Sequence, residues 1–326
     1  MRLGPPRTQA ALRRRSLLGL GAAAAAVAAF PAAARLPARQ VSFQRWQANT
    51  DMVFDYRIVD FAGADHRLGF RLPVNVIDRS RYLVSPFTNE GLADFVEAAL
   101  RHHVARMAPG VAIDIVRQPR RLEFVVRGTS QSEVDRISAG LNREYARAER
   151  EYLQQGFLVV DERKVFIDYP RIVARYAPVL RPAGHAIANA SRGRGVLGRL
   201  NLALALIQTI PYDELLSRDV ESGVDFVTPP VLFDTNKGDC DSKAVALAAI
   251  LSTLIEGSRT VIVLLPNHAV LGIDLPARGG ERTLRHGGRQ FLLMEPAGPA
   301  PFLPGQLFPT SAADLDAGRV ERVAEL

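Results

Sequence analysis

The sequence holds a single cysteine, Cys240, and three lysines, Lys164, Lys237 and Lys243, although Lys and Arg together number 41. One cysteine allows no internal disulfide in any redox compartment, so the thiol is either buried and inert or kept for its reactivity. Downstream of residue 34 no apolar run is long enough to cross a bilayer; the nearest case follows Cys240, where Asp241 and Lys243 interrupt its start. No group of His, Cys and carboxylate residues has metal-ligand spacing, and no cofactor motif is present, so neither a metal nor a cofactor is expected. Acidic residues are missing from residues 1–34, which carry Arg2, Arg7, Arg13, Arg14 and Arg15. The formal net charge of +7 therefore falls to +2 without that segment. A nearly neutral mature chain argues against a nucleic-acid partner, and the small clusters Arg117, Arg120, Arg121 and Arg192, Arg194 read as solvated turns.

Residues 1–34 read as an export signal. Arg14-Arg15-Ser16-Leu17-Leu18 precedes a mild Gly/Ala-rich run to Phe30, and Pro31-Ala32-Ala33-Ala34 supplies small residues for cleavage. The paired arginines fit a twin-arginine signal. The expected location is periplasmic or secreted, with no stable membrane span after cleavage.

The remainder reads as α+β with two domains. For residues 41–165 the pattern is β-β-α-β-β-α. Strands are expected over 53–61 and 66–72, and a helix over 91–107 capped by Thr88. A hairpin follows from 111–116 and 122–126. A capping box at Ser130–Glu133 then opens a long charged helix to Gln155, with Gly156 as its C′ residue. No chemistry is legible here: His102 and His103 are adjacent in a helix and diverge, and His66, like His185 further on, stands alone. The role of this domain is not specified by its residues.

Residues 166–326 carry the chemistry. A Pro/Gly-punctuated connection over 169–195 leads to an amphipathic helix over 196–209, then a polar loop to Asp234. Asn236-Lys237-Gly238-Asp239 is a turn that delivers Cys240 to the first turn of an apolar helix closed by Gly257. Helix N-termini carry partial positive charge and favour a thiolate. Strands follow over 259–265, 268–274 and 290–295, so His268 begins one strand and Glu295 ends the next.

A cysteine nucleophile needs a base, and the base needs an orienting acceptor. Cys240, His268 and Glu295 supply these in order. Asp274 lies six residues along the strand from His268, about 20 Å at strand rise, too far to orient it. Asp239 and Asp241 read as helix caps, and His286 sits in a Gly-rich tip. The backbone N–H of Cys240 is one candidate oxyanion donor; Gln208 is a second, against the plainer reading of an exposed helix-end amide.

GDCDSKAVALAAIL, NHAVLGID and FLLMEPAG, in that order and preceded by IQTIPYD, resemble the transglutaminase-like superfamily, specifically its exported bacterial cysteine-protease-like members. The resemblance covers residues 196–300. It implies a papain-like core in which a Cys-bearing helix packs on an antiparallel sheet, with Cys240 as nucleophile, His268 as base and Glu295 as third member of a triad. Glu295 stands where most relatives have Asp, and Ala269 and Val270 follow the histidine where aromatics are common. The implied function is an exported thiol acyl-transfer enzyme, a cysteine peptidase or amidase acting on a protein or peptide. The alternatives are a protein cross-linking transglutaminase and an inactive transglutaminase-like binding module.

Overall fold

The computed structural model describes residues 38–106, 112–118, 121–161, 164–213, 226–298 and 300–326. The export signal expected over 1–34 lies outside these residues. Among the described residues the chain is mixed α and β, and every strand pairing within its sheets is antiparallel. No helix among them is long and apolar enough to cross a membrane.

Two compact units are present: residues 84–168 form one, and residues 38–83 together with 169–326 form the other. This departs from the division at residue 165, because the first strands belong with the C-terminal part of the chain. Strands β1 (Arg39–Ala48), β2 (Asp51–Val59) and β3 (Asp65–Pro73) make a three-stranded sheet in that order, followed by α1 (Val74–Ser80). Alternation along β2 and β3 buries Phe54, Tyr56 and Phe70 on one face. That face is completed by Phe233 from the C-terminal part of the chain, whose ring meets Phe70 edge-on at 5.1 Å between centroids. Period-two alternation shows that a strand has a buried face; it does not show what covers it, and the β-β-α-β-β-α grouping fails for that reason.

The 84–168 unit holds α2 (Asn89–Ala105), β4 (Ala112–Gln118), β5 (Arg121–Arg127), α3 (Gln131–Gln155), β6 (Leu158–Asp161) and β7 (Lys164–Ile167). Its helix starts follow from their caps. Thr88 Oγ1 accepts the Gly91 N–H at 2.9 Å, and Ser130 Oγ accepts the Glu133 N–H at 3.3 Å. The return arm of the expected box lands one residue early, with Glu133 Oε2 accepting the Thr129 N–H at 3.1 Å. Gly156 is the C-cap at φ −80°, and Phe157 takes the left-handed position at φ 54°. Val96 and Leu100 of α2, with Leu141 and Ala148 of α3, are fully buried and centre the unit's core.

In the larger unit the segment 169–195, expected as an irregular connection, forms α4 (Tyr169–Tyr176) and α5 (Arg181–Ala190). Helix α6 (Gly195–Thr209) follows, and the supposed polar loop contains α7 (Pro229–Thr235), most of it buried. Prolines stand in the first turns of α4, α5 and α7, where the helix has no hydrogen-bond use for the missing N–H. Helix α8 (Cys240–Leu254) packs on a five-stranded sheet. Its strands are β8 (Thr260–Leu265), β9 (His268–Ile273), β10 (Thr283–His286), β11 (Arg289–Met294) and β12 (Arg322–Glu325), ordered β10-β11-β9-β8-β12. Helix α9 (Pro309–Asp316) lies between β11 and β12 in sequence. Helix α8 is buried on nearly all sides because α4, α5, α6 and α7 pack on it as well, which explains its lack of a polar face.

Candidate active site

The turn before α8 is fixed by neighbouring backbone. Asn236 closes α7 in the left-handed conformation at φ 50°, and the Gly238 N–H donates to Pro211 O at 3.3 Å. Gly238 packs closely on α7: a Cβ there would stand 2.8 Å from Leu232 Cδ1 and would have to displace that methyl. Asp239 is the N-cap, its Oδ1 accepting the Ser242 N–H at 3.2 Å. Cys240 thus occupies the first helical position, reduced and buried at 4% exposure. A helix of 15 residues directs its positive end at this thiol.

His268 and Glu295 meet: β10 intervenes between their strands in the chain, where a loose tip was expected, but β11 still pairs directly with β9. Strand β11 pairs with β9 so that Met294 opposes Leu271. Continued by one residue, that register sets Glu295 opposite Val270, on the face shared by His268 two residues earlier. The His268 Nε2 to Glu295 Oε1 distance is 2.5 Å. Glu295 is fully buried, whereas the His268 side chain retains 18% exposure. With the carboxylate ionised, Nε2–H is the donor and Nδ1 is left as the basic nitrogen. The other carboxylate oxygen lies 3.5 Å from both the Phe308 N–H and the Ser311 hydroxyl. Phe308 also sets its ring edge-on to the imidazole at 5.9 Å, and Phe302 packs on Phe308 at 4.7 Å. Asp274 is at the far end of β9, where it accepts the Arg259 N–H at 2.6 Å.

The segment after Glu295 is held from two directions. Gln208 is buried at 2% exposure, not an exposed helix-end amide. Its Nε2 donates to Glu295 O at 2.7 Å and Phe302 O at 2.9 Å, and its Oε1 accepts the Phe302 N–H at 3.1 Å. Both amide hydrogens are thereby engaged, so Gln208 in this state is a strut beneath the segment rather than an oxyanion donor. Gly298, at φ 62°, passes so close to α6 that a Cβ would lie 2.3 Å from Gln208 O.

The second hold is Lys243, which is fully buried. Its ammonium donates to Ile210 O and to Ala297 O, each at 2.5 Å. Lys243 follows Cys240 by three residues, so the two share a face of α8. The face that carries the thiol is therefore fastened two residues beyond Glu295, and Ala297 falls opposite His268 in the continued register. Burial lowers the Lys243 pKa to about 7, against the opposing pull of Asp239 and Cys240. Lys243 was missed as a site residue, although a lysine one turn from the only cysteine in an arginine-rich chain was a visible signal.

Asp239 and Asp241 do more than cap. Burial, then the adjacent Asp241 carboxyl to which it hydrogen-bonds, pushes the Asp239 carboxyl well above its usual range. The Tyr169 hydroxyl donates to Asp241 Oδ2 at 2.6 Å, and burial raises that phenol well above its ordinary value. Comparison with protein-family models, with curated proteins and with solved structures finds no match. The remaining histidines are elsewhere. His66, read as isolated, is paired: its Nε2 lies 2.8 Å from Asp60 Oδ2, which also accepts from Arg194 at 2.8 Å. His286 lies 3.2 Å from Glu325 Oε1 in the β10 tip. Among the described residues no group of three or more His, Cys, Asp and Glu side chains is placed to hold a metal ion.

Proposed function

We propose that the protein is an exported cysteine hydrolase, a peptidase or amidase acting on a protein or peptide, with Cys240 as nucleophile and His268 as base. The observation that carries this reading is the His268–Glu295 pair, an imidazole that keeps 18% of its side chain exposed, held by a fully buried carboxylate. It lies at the end of the sheet to which Lys243 fastens the Cys240 turn. A buried carboxylate that only supports a fold has no need of an accessible histidine partner, whereas a base that must keep one tautomer does. The resemblance of residues 196–300 to exported transglutaminase-like cysteine proteases favours the same assignment.

In this mechanism His268 Nδ1 takes the Cys240 proton, and the thiolate sulfur attacks the substrate carbonyl carbon. The carbon–nitrogen bond breaks as the imidazolium returns the proton to the leaving amine, which gives a thioester. Water then attacks the thioester carbon, giving its proton to Nδ1. The carbon–sulfur bond breaks, the acid is released and the thiol is restored. Glu295 touches no reacting atom; it orients His268 and stabilises the imidazolium. Hydrolysis is favoured over cross-linking because cross-linking also demands an amine site and exclusion of water, and the sequence carries no signature of either.

The test is a comparison of exported peptides and proteins incubated with the intact protein and with Cys240→Ala. The hydrolase reading expects new termini that need Cys240. Amine incorporation without new termini would support the cross-linking enzyme instead. Identical products with both proteins would leave the inactive binding module as the reading to adopt.

A further inference from the structure

Lys243 is the one buried cation of the larger unit whose hydrogen bonds, at its Nζ, go only to backbone carbonyls among the described contacts. Asp234, by contrast, draws the guanidinium groups of Arg45 and Arg81, both partly exposed. Removing an ammonium from water entirely is costly, and two carbonyl dipoles do not neutralise its charge. A neutral side chain of the same length would fill the slot without that cost. The charges acting on Lys243 are those at the start of its own helix, Asp239 and Cys240. The acidic pair continues from Asp239 to Asp241, which accepts the Tyr169 hydroxyl of α4. Across the sheet the His268–Glu295 pair is internally matched. The thiolate of Cys240, when it forms, is therefore the anion this ammonium can serve.

Resting on the cysteine-hydrolase reading, we infer that Lys243 is a positioning residue of the reaction. It fastens the Cys240 turn to the backbone after Glu295, and its charge favours the Cys240 thiolate. It touches no substrate atom and exchanges no proton with substrate. The carbonyl of Ala297 links it to the Glu295 segment, so one side chain sets both the position of the nucleophile and its ionisation. Lys243 sits where an ordinary core position would carry Leu or Met, and its cost to the fold is offset by what it does for the thiol.

The scarcity of lysine makes the inference measurable in the full chain. Lysine labelled with 13C at Cε and 15N at Nζ gives three signals, from Lys164, Lys237 and Lys243. The coupling of two titrating groups is reciprocal, so removing the thiol must alter the lysine. In Cys240→Ala the Lys243 signal is expected to titrate at least half a pH unit lower than in the parent, about a threefold loss of proton affinity, while Lys164 does not move. Lys243→Met is expected to raise the pH midpoint of Cys240 alkylation by iodoacetamide by a unit or more, about tenfold in rate at mildly acidic pH, and Lys243→Arg to restore part of it. A Lys243 titration indifferent to Cys240 overturns the inference, whether or not the Lys243 variants fold. An ordinary-thiol alkylation profile in the parent protein would instead defeat the hydrolase reading, and the lysine titration would still decide the coupling.

Discussion

At the scale of single residues, the site is built from side chains whose hydrogen bonds are all spent on the same few segments. Gln208 illustrates this. Its one carbonyl and two amide hydrogens hold Glu295 and Phe302, far from it in sequence. Its position at the end of a helix suggested an amide able to face substrate. What the sequence could not reveal is that the backbone after Glu295 returns to this helix closely enough to require a glycine at 298. Gln208→Ala removes three hydrogen bonds, one buried and two partly buried, and leaves backbone partners unmatched, for an expected loss on the order of 3 kcal/mol. Chemical denaturation of the purified variant measures it. The pairing of His268 with Glu295 was legible because the two strands that carry them are neighbours in one sheet, although the segment between them holds β10, which reads as a loose Gly-rich tip. The exclusion of Asp274 followed from strand rise alone. The signal at Lys243, a rare lysine one turn from the cysteine, is masked because a lysine in an apolar helix start reads first as an interruption.

At the scale of elements, caps were the most readable signals. Thr88, Ser130 and Asp239 each begin a helix, because a short oxygen-bearing side chain can satisfy an otherwise orphaned N–H. Proline misled in the opposite direction. Pro170, Pro182, Pro229 and Pro230 read as breakers, yet they stand in the first turns of α4, α5 and α7. Strand β1 went unread because most of its residues are exposed and no clean alternation marks it. Strand β12 is only four residues long. The consequence of missing α7 was larger than its length, since Phe233 joins Phe54, Tyr56 and Phe70 under the N-terminal sheet. Phe233→Ala is expected to cost about 3–5 kcal/mol, as for other aromatic truncations in a packed core. The midpoint of thermal or denaturant unfolding, with circular dichroism to confirm the fold, gives the comparison.

At the scale of the whole molecule, the buried ammonium leaves a mark on stability. Its folded pKa, about 7, lies below the ordinary lysine value of 10.5. Between those limits the unfolded chain binds a proton that the folded chain does not, so stability rises with pH through that window and levels off above it. Below about pH 7 both states carry the proton, and the folded state bears the full burial cost. Asp239 tilts the acid side the other way: its raised carboxyl contributes most at low pH, and that contribution is lost as pH rises from the usual carboxylate range. The lysine contribution is isolated by comparison with Lys243→Met. The stability of the parent relative to that variant should climb by at most about 1.4 kcal/mol per pH unit from pH 7 to 10. Urea unfolding at a series of pH values would show a flat difference if Lys243 were not buried as a titrating group.

The α+β class and the helix-then-strands order around Cys240 were readable along the chain, because each element there has strong apolar patterning. The unit division was not, because residues 38–83 and 169–326 close one core from two ends of the sequence. The central claim is that Cys240 is an activated nucleophile served by His268. Its most direct test is the second-order rate of alkylation of the one thiol by iodoacetamide from pH 4 to 10. The account predicts reaction persisting well into the acidic range, at least tenfold faster at pH 6 than a free thiol with its pKa near 8.5. That acidic limb should be lost in His268→Ala. A rate that follows an ordinary thiol across the whole range, unchanged by His268→Ala, would contradict it.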